Sequence, residues 1–310
     1  MRCLVTGGCG FIGSNLVDEL LKQGNEVVVI DDLSGGKIEN LPEHAKLVFC
    51  KETICKQEIK NLFHDVGAVF HLAALPRVQF SIKEPIKTNE VNINGTLNLL
   101  NICREMNVKR FVFSSSSSVY GNQESLPLKE SMTPNPMSPY ALHKLTGEHY
   151  CRLFNLIHGM ETISLRYFNV YGPRQSPEGG YAMLIPKFIM LVNQGINPVI
   201  NGDGEKTRDF TYVHDVVNAN ILAAKTKDKR AFGESFNIGA GRNVSVNHVT
   251  EEIIKLSGKN IKPIHGPAVI EPEHTLADNN KARKILGWKP ETSFEEGLKI
   301  AYEHMLEKNL

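Results

Sequence analysis

The first half of the chain alternates short apolar runs with longer stretches in which apolar positions recur at helical spacing. The runs are rich in β-branched and aromatic residues, and they lie at Leu4-Val5, Val27–Ile30, Val69-Phe70, Phe111–Phe113 and Ile163–Leu165. Strands of a parallel sheet give such continuous apolar runs because helices cover both faces of the sheet. The pattern predicts an α/β fold with a doubly wound parallel sheet.

The pattern changes after about residue 169. Loops rich in glycine and proline then separate single amphipathic helices, which we predict at Leu184–Asn193, Val246–Ser257 and Phe294–Glu307. We therefore expect one domain over residues 1–168, with a returning segment near 207–240, and a smaller C-terminal α/β lobe over 169–206 and 241–310.

Composition and charge exclude several classes of function. The 310 residues carry 35 Lys+Arg against 34 Asp+Glu, so there is no excess positive charge for a nucleic-acid backbone or an anionic membrane. No apolar run approaches the roughly 18 residues of a membrane span, and the chain enters Leu4-Val5-Thr6 without the longer apolar core of a signal peptide, so we expect neither segment. The six cysteines form no CxxC pair and no Cys/His cluster. We predict a cytoplasmic protein with free thiols, no metal site and a small-molecule ligand.

Three glycines follow the first predicted strand and precede an amphipathic helix. Gly7, Gly10 and Gly13 allow a tight turn and a close approach of the backbone to a phosphate. The helix N-terminus adds unpaired N–H groups and the positive end of its dipole. The strand–turn–helix context predicts a dinucleotide-binding site.

A carboxylate at the end of the second predicted strand supports the same site. Asp31 lies 18 residues after Gly13, near the spacing at which an acid accepts hydrogen bonds from both ribose hydroxyls. Its charge would repel a 2′-phosphate, and the turn Leu33–Gly36 has no arginine to receive one. NAD is therefore favoured over NADP. Asp32 fits either a ribose contact or a solvent-exposed turn.

Tyr140 and Lys144 lie four residues apart on a helix predicted to begin at Ser138-Pro139. Side chains at this spacing share one helix face. An ammonium about 5 Å away, at an effective dielectric constant of about 20, would lower the pKa of the tyrosine from its usual value of about 10 by about two units, and an oxidised nicotinamide would add a second positive charge. We predict that Tyr140 exchanges a proton with the substrate. The alternative is an exposed helix pair without a chemical role.

Five consecutive serines, from Ser114 to Ser118, follow the strand Phe111–Phe113. They lie at the carboxyl end of that strand, and ligands of doubly wound sheets bind at these ends. The serines could align a substrate hydroxyl, or they could form only a polar turn.

These motifs together resemble the extended short-chain dehydrogenase/reductase superfamily. The matching segments are Gly7–Gly13, His71–Ala74, Asn92–Thr96, the serines before Val119-Tyr120-Gly121, and Tyr140 with Lys144. Within the superfamily, Leu165–Gly172 and Gly202–Phe210 resemble a UDP-sugar 4-epimerase. The resemblance extends to Leu286-Gly287-Trp288 and so covers nearly the whole chain. It implies an NAD-binding Rossmann domain followed by a substrate-binding lobe.

The resemblance also implies roles for individual residues. Ser116 would bridge the substrate and Tyr140, Tyr140 would be the acid and base, and Lys144 would hold the nicotinamide ribose. The NAD-binding positions implied are Gly7, Gly10, Phe11, Ile12, Gly13, Asp31, Asp32, Leu33, Gly35, Thr53, Ile54, Leu72, Ala73, Ala74, Asn92, Ser114, Tyr140, Lys144 and Phe168. Thr53 departs from the family, which usually has an aspartate near the adenine at this position.

A second set of positions is implied for the substrate. Asn169 and Arg208 would bind the diphosphate, and Glu271 would accept a hydrogen bond from the uridine ribose. The uridine itself would be surrounded by Leu184, Val199, Ile200, Asn201 and Phe210. A second arginine of the family is replaced here by Ala268, which leaves Lys187 as an additional candidate cation.

Thr275 matches the position that flanks the C2 substituent of the sugar. Because threonine is smaller than an aromatic residue, we expect UDP-N-acetylglucosamine and UDP-N-acetylgalactosamine to be accepted as well as UDP-glucose and UDP-galactose. The expected reaction is oxidation at C4 to a 4-keto sugar and return of the same hydride to the opposite face. The cofactor then undergoes no net change.

Several alternatives stay open. They are another nucleotide-sugar oxidoreductase or dehydratase of the superfamily, a UDP-glucuronate 4-epimerase, and a noncatalytic NAD sensor or scaffold. Sugar dehydratases normally carry Thr-Asp-Glu where this chain has Ser116-Ser117-Ser118, and UDP-glucuronate decarboxylases carry Ser-Glu where it has Ser117-Ser118. The family also implies a homodimer formed by the helices around Leu97–Met106 and Tyr140–Leu156.

Overall fold

The computed structural model describes residues 1–177, 183–268 and 273–308. The strands are β1 (Arg2–Thr6), β2 (Glu26–Asp31), β3 (Leu47–Lys51), β4 (Val66–His71), β5 (Arg110–Ser116), β6 (Glu161–Tyr167), β7 (Val170–Tyr171), β8 (Val199–Asn201), β9 (Thr207–Arg208), β10 (Thr211–Tyr212), β11 (Glu234–Ile238), β12 (Val244–Ser245) and β13 (Ile264–Gly266). The α-helices are α1 (Phe11–Lys22), α2 (Val78–Lys83), α3 (Pro85–Asn89), α4 (Thr96–Glu105), α5 (Pro139–His158), α6 (Leu184–Asn193), α7 (Val213–Lys225), α8 (Val246–Ser257), α9 (Asn280–Leu286) and α10 (Phe294–Glu307).

Seven strands form the main sheet in the order β11-β6-β5-β4-β1-β2-β3. Every neighbouring pair is parallel. In the centre of the sheet, Leu4 of β1 is opposite Val28 of β2 and Val69 of β4. The winding reverses between β1 and β4, and this reversal creates a crevice at the carboxyl ends of the two strands. The predicted doubly wound fold is confirmed.

Two apolar clusters cover the faces of this sheet. On one face, Leu16 of α1 and Ala219 of α7 pack with Trp288, which is fully buried. On the other face, Leu99 of α4 and Cys151 of α5 pack against strand residues. Helices therefore cover both faces, and this explains why the central strands are continuous apolar runs.

A third apolar cluster forms the core of a smaller lobe. Helices α6, α8 and α10, each of which has the bounds predicted from its periodicity, pack around Tyr171, Phe210 and Phe294. Two-stranded pairings β7/β10, β8/β13 and β9/β12 complete this region. Strand β11 returns to the main sheet beside β6. The division at residues 168, 207 and 240 stays a prediction.

Two further observations concern the whole chain. None of the helices in the three described ranges is long and apolar enough to cross a membrane. The six cysteines are free thiols.

Candidate active site

The glycine turn between β1 and α1 forms one wall of the crevice. Gly7 has φ +70°, which favours glycine, and a Cβ there would lie 2.7 Å from the backbone nitrogen of Ala73. A Cβ on Gly13 would lie 2.1 Å from the carbonyl oxygen of Gly7. Any larger residue would fill the space that α1 and the turn leave between them. The N–H groups of Gly7 and Gly10 are paired with backbone carbonyls at 2.9 and 3.1 Å, so a phosphate would bind the unpaired N–H groups of the first turn of α1.

Asp31 is held rigidly at the end of β2. One of its carboxylate oxygens accepts a hydrogen bond from the Cys9 backbone at 2.9 Å, and the other accepts one from the Leu33 backbone at 2.8 Å. Burial raises its pKa, whereas these two backbone hydrogen bonds lower it. Asp32 is exposed and accepts a hydrogen bond from the Ser34 backbone at 2.9 Å. The buried Asp31 is thus the better-oriented acceptor for a ribose.

The loop after β4 forms the opposite wall. Asn92 fixes this loop by accepting a hydrogen bond from the Leu75 N–H at 2.8 Å and donating one to the Leu75 carbonyl at 3.1 Å. The Ala73 N–H donates to the hydroxyl of Thr6 at 3.2 Å. Asn92 lies in a π-helical segment, residues 90–95, between α3 and α4. Such segments are frequent at functional sites because they redirect side chains.

His71 connects the two central strands to α4. Its ring nitrogens lie 2.8 Å from the hydroxyls of Thr6 and Thr96. Burial lowers the pKa of His71 to about 3, so the ring is neutral at physiological pH.

Two serines fix the start of the helix that carries Tyr140. Ser138 caps α5, and its hydroxyl accepts a hydrogen bond from the Ala141 N–H at 3.2 Å. The hydroxyl of Ser81, on α2, accepts one from the Tyr140 N–H at 3.0 Å. Ser81 is fully buried and has no recognisable motif in the sequence. It was missed because it lies 59 residues before Tyr140 in the chain.

The structure brings Tyr140 next to the serine run. A hydrogen bond with Ser116 lowers the pKa of Tyr140, but burial has the larger effect and raises it to about 12. The pKa lowering predicted from Lys144 alone is therefore wrong for the protein without ligands. The lysine ammonium lies 5.9 Å from the centroid of the tyrosine ring, and it is directed elsewhere. The Tyr140 phenolate thus needs a further positive charge nearby.

Lys144 is buried beside the carboxyl end of β5. Its ammonium donates a hydrogen bond to the Ser114 carbonyl at 2.6 Å and lies 5.0 Å from the centroid of the Phe113 ring. Burial lowers its pKa to about 8. A lysine in this position is mostly protonated at neutral pH and close to its titration point.

The remaining cofactor candidates lie around the same crevice. Phe11 and Ile12 begin α1, and Gly35 is exposed in the turn after β2. The hydroxyl of Thr53 accepts a hydrogen bond from the Cys55 N–H, and the Ile54 side chain is buried in the core. The Phe168 ring is also fully buried, so contacts of Ile54 and Phe168 with a ligand would involve the backbone. Leu72 and Ala74 flank Ala73 in the loop after β4.

Asn169, Arg208 and Thr275 come together in the smaller lobe. The Thr275 hydroxyl lies 3.4 Å from the amide nitrogen of Asn169 and accepts a hydrogen bond from the Asp209 N–H at 3.2 Å. The Arg208 guanidinium donates to the carbonyls of Thr207 and Glu273. Thr275 is therefore an orienting partner of Asn169.

The other substrate candidates are more dispersed. Leu184 and Lys187 lie on α6, where Lys187 is exposed; Val199 and Asn201 are exposed on β8, while Ile200 is buried. The Phe210 ring packs edge-on against Tyr171 in the lobe core. Glu271 lies outside the described residues.

Comparison with known proteins identifies this arrangement. A family model described as GDP-mannose 4,6-dehydratase matches residues 4–301. The UDP-glucose 4-epimerase of Mycolicibacterium smegmatis is 36% identical over 316 residues, which cover 100% of both chains. A solved UDP-glucose 4-epimerase of Thermotoga maritima, with UDP-glucose, is 40% identical with a TM-score of 0.94 and 100% coverage of both chains. A UDP-N-acetylglucosamine 4-epimerase of Methanobrevibacter ruminantium, in complex with UDP-N-acetylmuramic acid, is 39% identical with a TM-score of 0.95, over 99% of this chain and 98% of that one.

Other similar proteins differ in substrate or reaction. A UDP-glucuronate 4-epimerase of Thermodesulfobacterium geofontis is 36% identical over 96% of this chain and 93% of its own length. A UDP-N-acetyl-α-D-glucosaminuronate decarboxylase of Bacillus cytotoxicus is 35% identical over 96% and 95%, respectively. The UDP-glucose 4-epimerase of Thermus thermophilus, solved with NAD, is 34% identical with a TM-score of 0.89 over 99% of both chains. This agrees with NAD as the predicted cofactor. The chain therefore belongs to the GDP-mannose 4,6-dehydratase family of extended short-chain dehydrogenases/reductases, and most of the relatives named here are UDP-sugar 4-epimerases, which are isomerases.

Proposed function

We propose that the protein is an NAD-dependent 4-epimerase of a UDP-hexose. The observation that carries this proposal is the convergence of Ser116, Tyr140 and Lys144 at the carboxyl end of β5. The crevice fits NAD because the turn containing Gly7 and Gly13 leaves a space that a Cβ would fill, and because Asp31 is held there as an acceptor.

Each residue of the convergent group has a distinct task. Ser116 orients the sugar 4-hydroxyl toward the phenol oxygen, and Tyr140 accepts the hydroxyl proton and later returns it. Lys144 contributes a fixed positive charge that favours the phenolate. When bound, NAD accepts the C4 hydride and returns it, and its oxidised nicotinamide supplies the further positive charge that Tyr140 needs. Asn169 and Arg208 would hold the diphosphate.

Epimerisation also requires that the 4-keto sugar present its other face to the same groups. A site that binds mainly the nucleotide diphosphate allows this, because the sugar can rotate about the diphosphate linkage while Asn169 and Arg208 stay engaged. Ser116, Ser117 and Ser118 supply hydroxyls but no carboxylate at this position. This favours reversible oxidation over elimination of water or loss of a carboxyl group. A dehydratase, another oxidoreductase and a UDP-glucuronate 4-epimerase are the competing functions.

The decisive experiment measures turnover and cofactor together. The purified protein should carry bound NAD, visible by absorbance, and should interconvert C4 epimers of a UDP-hexose without added cofactor. Tyr140→Phe should lower kcat by about 10²- to 10⁴-fold, as expected for loss of a general acid–base group. Tyr150→Phe, the same change on the same helix, is the control and should retain activity.

Other outcomes would identify the competing functions. Stoichiometric consumption of NAD would indicate a net oxidoreductase, and a product lacking one water would indicate a dehydratase. Full activity of Tyr140→Phe would refute the proposed mechanism. Absence of turnover with every UDP-sugar, despite bound NAD, would favour a sensor or scaffold.

We include N-acetylated sugars in the proposed substrate range because Thr275 is small. Thr275→Tyr should reduce turnover of UDP-N-acetylglucosamine more than turnover of UDP-glucose. Thr275→Val is the matched control, since it removes the hydroxyl that orients Asn169 without adding bulk. It should affect both substrates equally. If the acetylated substrate is indifferent to Thr275→Tyr, the assignment of this position fails.

A homodimer and a cytoplasmic location are also part of the proposal. The outer face of α5 exposes four large apolar side chains: Leu142, Leu153, Leu156 and Ile157 are 51%, 45%, 77% and 66% exposed. Leu153, Leu156 and Ile157 lie together in the last two turns of α5, α4 packs beside this helix, and exposed apolar side chains grouped in this way are typical of a protein–protein interface. The six free thiols support a reducing compartment.

A further inference from the structure

A buried ion pair lies one helical turn beyond Lys144. The carboxylate of Glu148, on α5, accepts hydrogen bonds from Nε and Nη2 of Arg166, on β6, at 2.9 and 2.7 Å. The two side chains are only 6% and 5% exposed. Two parallel N–H···O bonds fix both distance and orientation. Both charges lose hydration on burial, and this cost offsets much of their mutual attraction. The contribution of the pair to folding stability therefore does not by itself explain its presence.

Three adjacent strands reach the same carboxylate. Besides Arg166 on β6, Ser115 on β5 donates a hydrogen bond to one oxygen of Glu148. Ser235 on β11 donates one to the other oxygen at 3.0 Å. These bonds prevent α5 from sliding across the sheet at the level of its reactive side chains.

Arg166 also contacts the turn that follows Ser116. Its guanidinium carbon lies 4.8 Å from the ring centroid of Tyr120, which ends the 3-10 turn Ser117–Tyr120. The Tyr120 hydroxyl donates a hydrogen bond to Asn237, on β11, at 2.6 Å. The ion pair thus connects α5, which carries Tyr140, with the turn that follows Ser116. The distance between these two elements determines whether Ser116 and Tyr140 can form a hydrogen bond.

We propose that Glu148 and Arg166 are positioning residues of the reaction, which hold α5 and the serine turn in register. Both side chains are buried, so they act through Ser116, Tyr140 and Lys144. The inference rests on the proposed function of these three residues. It assigns to the ion pair a task that packing alone would not require.

The electrostatic part of the proposal concerns the charge of Lys144. The titratable groups that face the ammonium are Tyr140, His143, Glu148 and Cys151 on α5 and His71 on β4. Burial lowers the pKa of Lys144 to about 8, and the Glu148 carboxylate raises it; burial raises the pKa of the Cys151 thiol, which is therefore neutral where Lys144 titrates. Burial holds both histidines neutral by lowering their pKa values. Loss of the Glu148 charge should therefore lower the pKa of Lys144 further.

The test compares Glu148→Gln with a matched control. Glu161 pairs with Arg110 at 2.7 Å between the amino ends of the same strands, β6 and β5, so Glu161→Gln removes an equivalent charge far from the reactive groups. For Glu148→Gln we expect kcat to fall about 100-fold, the effect of a misplacement of about 1 Å, with little change in KM or bound NAD. The alkaline limb of its pH–rate profile should move to lower pH, because Lys144 loses its proton earlier. Glu161→Gln should keep the wild-type kcat and pH profile.

Further outcomes distinguish loss of the positioning role from a folding defect and from failure of the proposed function. If Glu148→Gln is insoluble, Ser115→Ala replaces it in the test. This variant retains the ion pair but removes one hydrogen bond to Glu148, and it should lower kcat about fivefold, the rate equivalent of one hydrogen bond. A wild-type kcat and pH profile in whichever variant is soluble overturns the inference, even if its melting temperature falls. If Tyr140→Phe is inactive but Glu148→Gln behaves like Glu161→Gln, only the positioning role fails. If Tyr140→Phe is active, the proposed function itself fails.

Discussion

Replacing Gly13 with alanine should remove bound NAD from a protein that still folds. The new Cβ would lie 2.1 Å from the carbonyl oxygen of Gly7, and ordinary contact begins at 3.4 Å. The difference, about 1.3 Å, must come from backbone movement, because the nearest neighbours, Gly7 and Gly8, contribute only backbone atoms. The phosphate-facing turn and the start of α1 would therefore separate.

The size of the effect follows from this displacement. A hydrogen bond to a charged phosphate contributes about 2 kcal/mol, and losing one lowers the affinity about 30-fold. Overpacking costs about 1–3 kcal/mol of folding stability, and the better helix propensity of alanine offsets part of this. A domain with about 5–15 kcal/mol of stability stays folded. Bound NAD should thus be largely lost while the protein stays folded.

The assay measures the NAD absorbance of the purified protein, its turnover and its melting temperature. Gly24→Ala is the control: Gly24 has φ +79° but no atom within 4 Å of its Cβ position, so alanine there causes backbone strain of about 1 kcal/mol without a clash. It should retain NAD. If Gly13→Ala keeps the wild-type NAD content and activity, the turn does not bind the dinucleotide as proposed.

Three other changes test separate parts of the structure. Ser81→Ala removes the acceptor for the Tyr140 N–H and should lower kcat about fivefold, the rate equivalent of one hydrogen bond, which steady-state kinetics will detect. Burial raises the pKa of Asp209 from 3.8 to about 6, so between these values the folded protein binds a proton that the unfolded chain has released. The stabilising contribution of this proton is complete below about pH 4. The free energy of unfolding should therefore decline by about 3 kcal/mol as the pH rises through 6. Urea unfolding of wild type and Asp209→Asn across this pH range should show the decline only in wild type. If the free energy of unfolding depends on pH with the same slope in both proteins, Asp209 is not the group responsible. Leu156→Glu, at a side chain 77% exposed, should reduce the mass in sedimentation to the 34.6 kDa of one chain without lowering the melting temperature; an unchanged dimer would exclude this face as the interface.

The local pattern of apolar and polar residues predicted most helices and strands, because the pattern within each element depends on which of its faces are buried. The runs around Leu4, Val28 and Phe111 are central strands, and both faces of each strand are covered. Helices α6, α8 and α10 have a strong 3.6-residue period, since each packs one face on the lobe core. The edge strand β3 was not predicted from its pattern, although Leu47–Cys50 is a continuous apolar run; at the edge of the sheet its Val48 is 51% exposed.

The sequence by itself determined which chemical groups are present and on which elements they lie: the glycine turn, Asp31 after a strand, serines after another, and Tyr140 with Lys144 on one helix. Only the tertiary structure decided how these groups behave. It showed that burial raises the pKa of Tyr140, that Ser81 holds its backbone, and that three strands converge on Glu148. The physical reason is that periodicity is a property of neighbouring residues, whereas hydration and hydrogen bonding depend on groups brought together from distant parts of the chain.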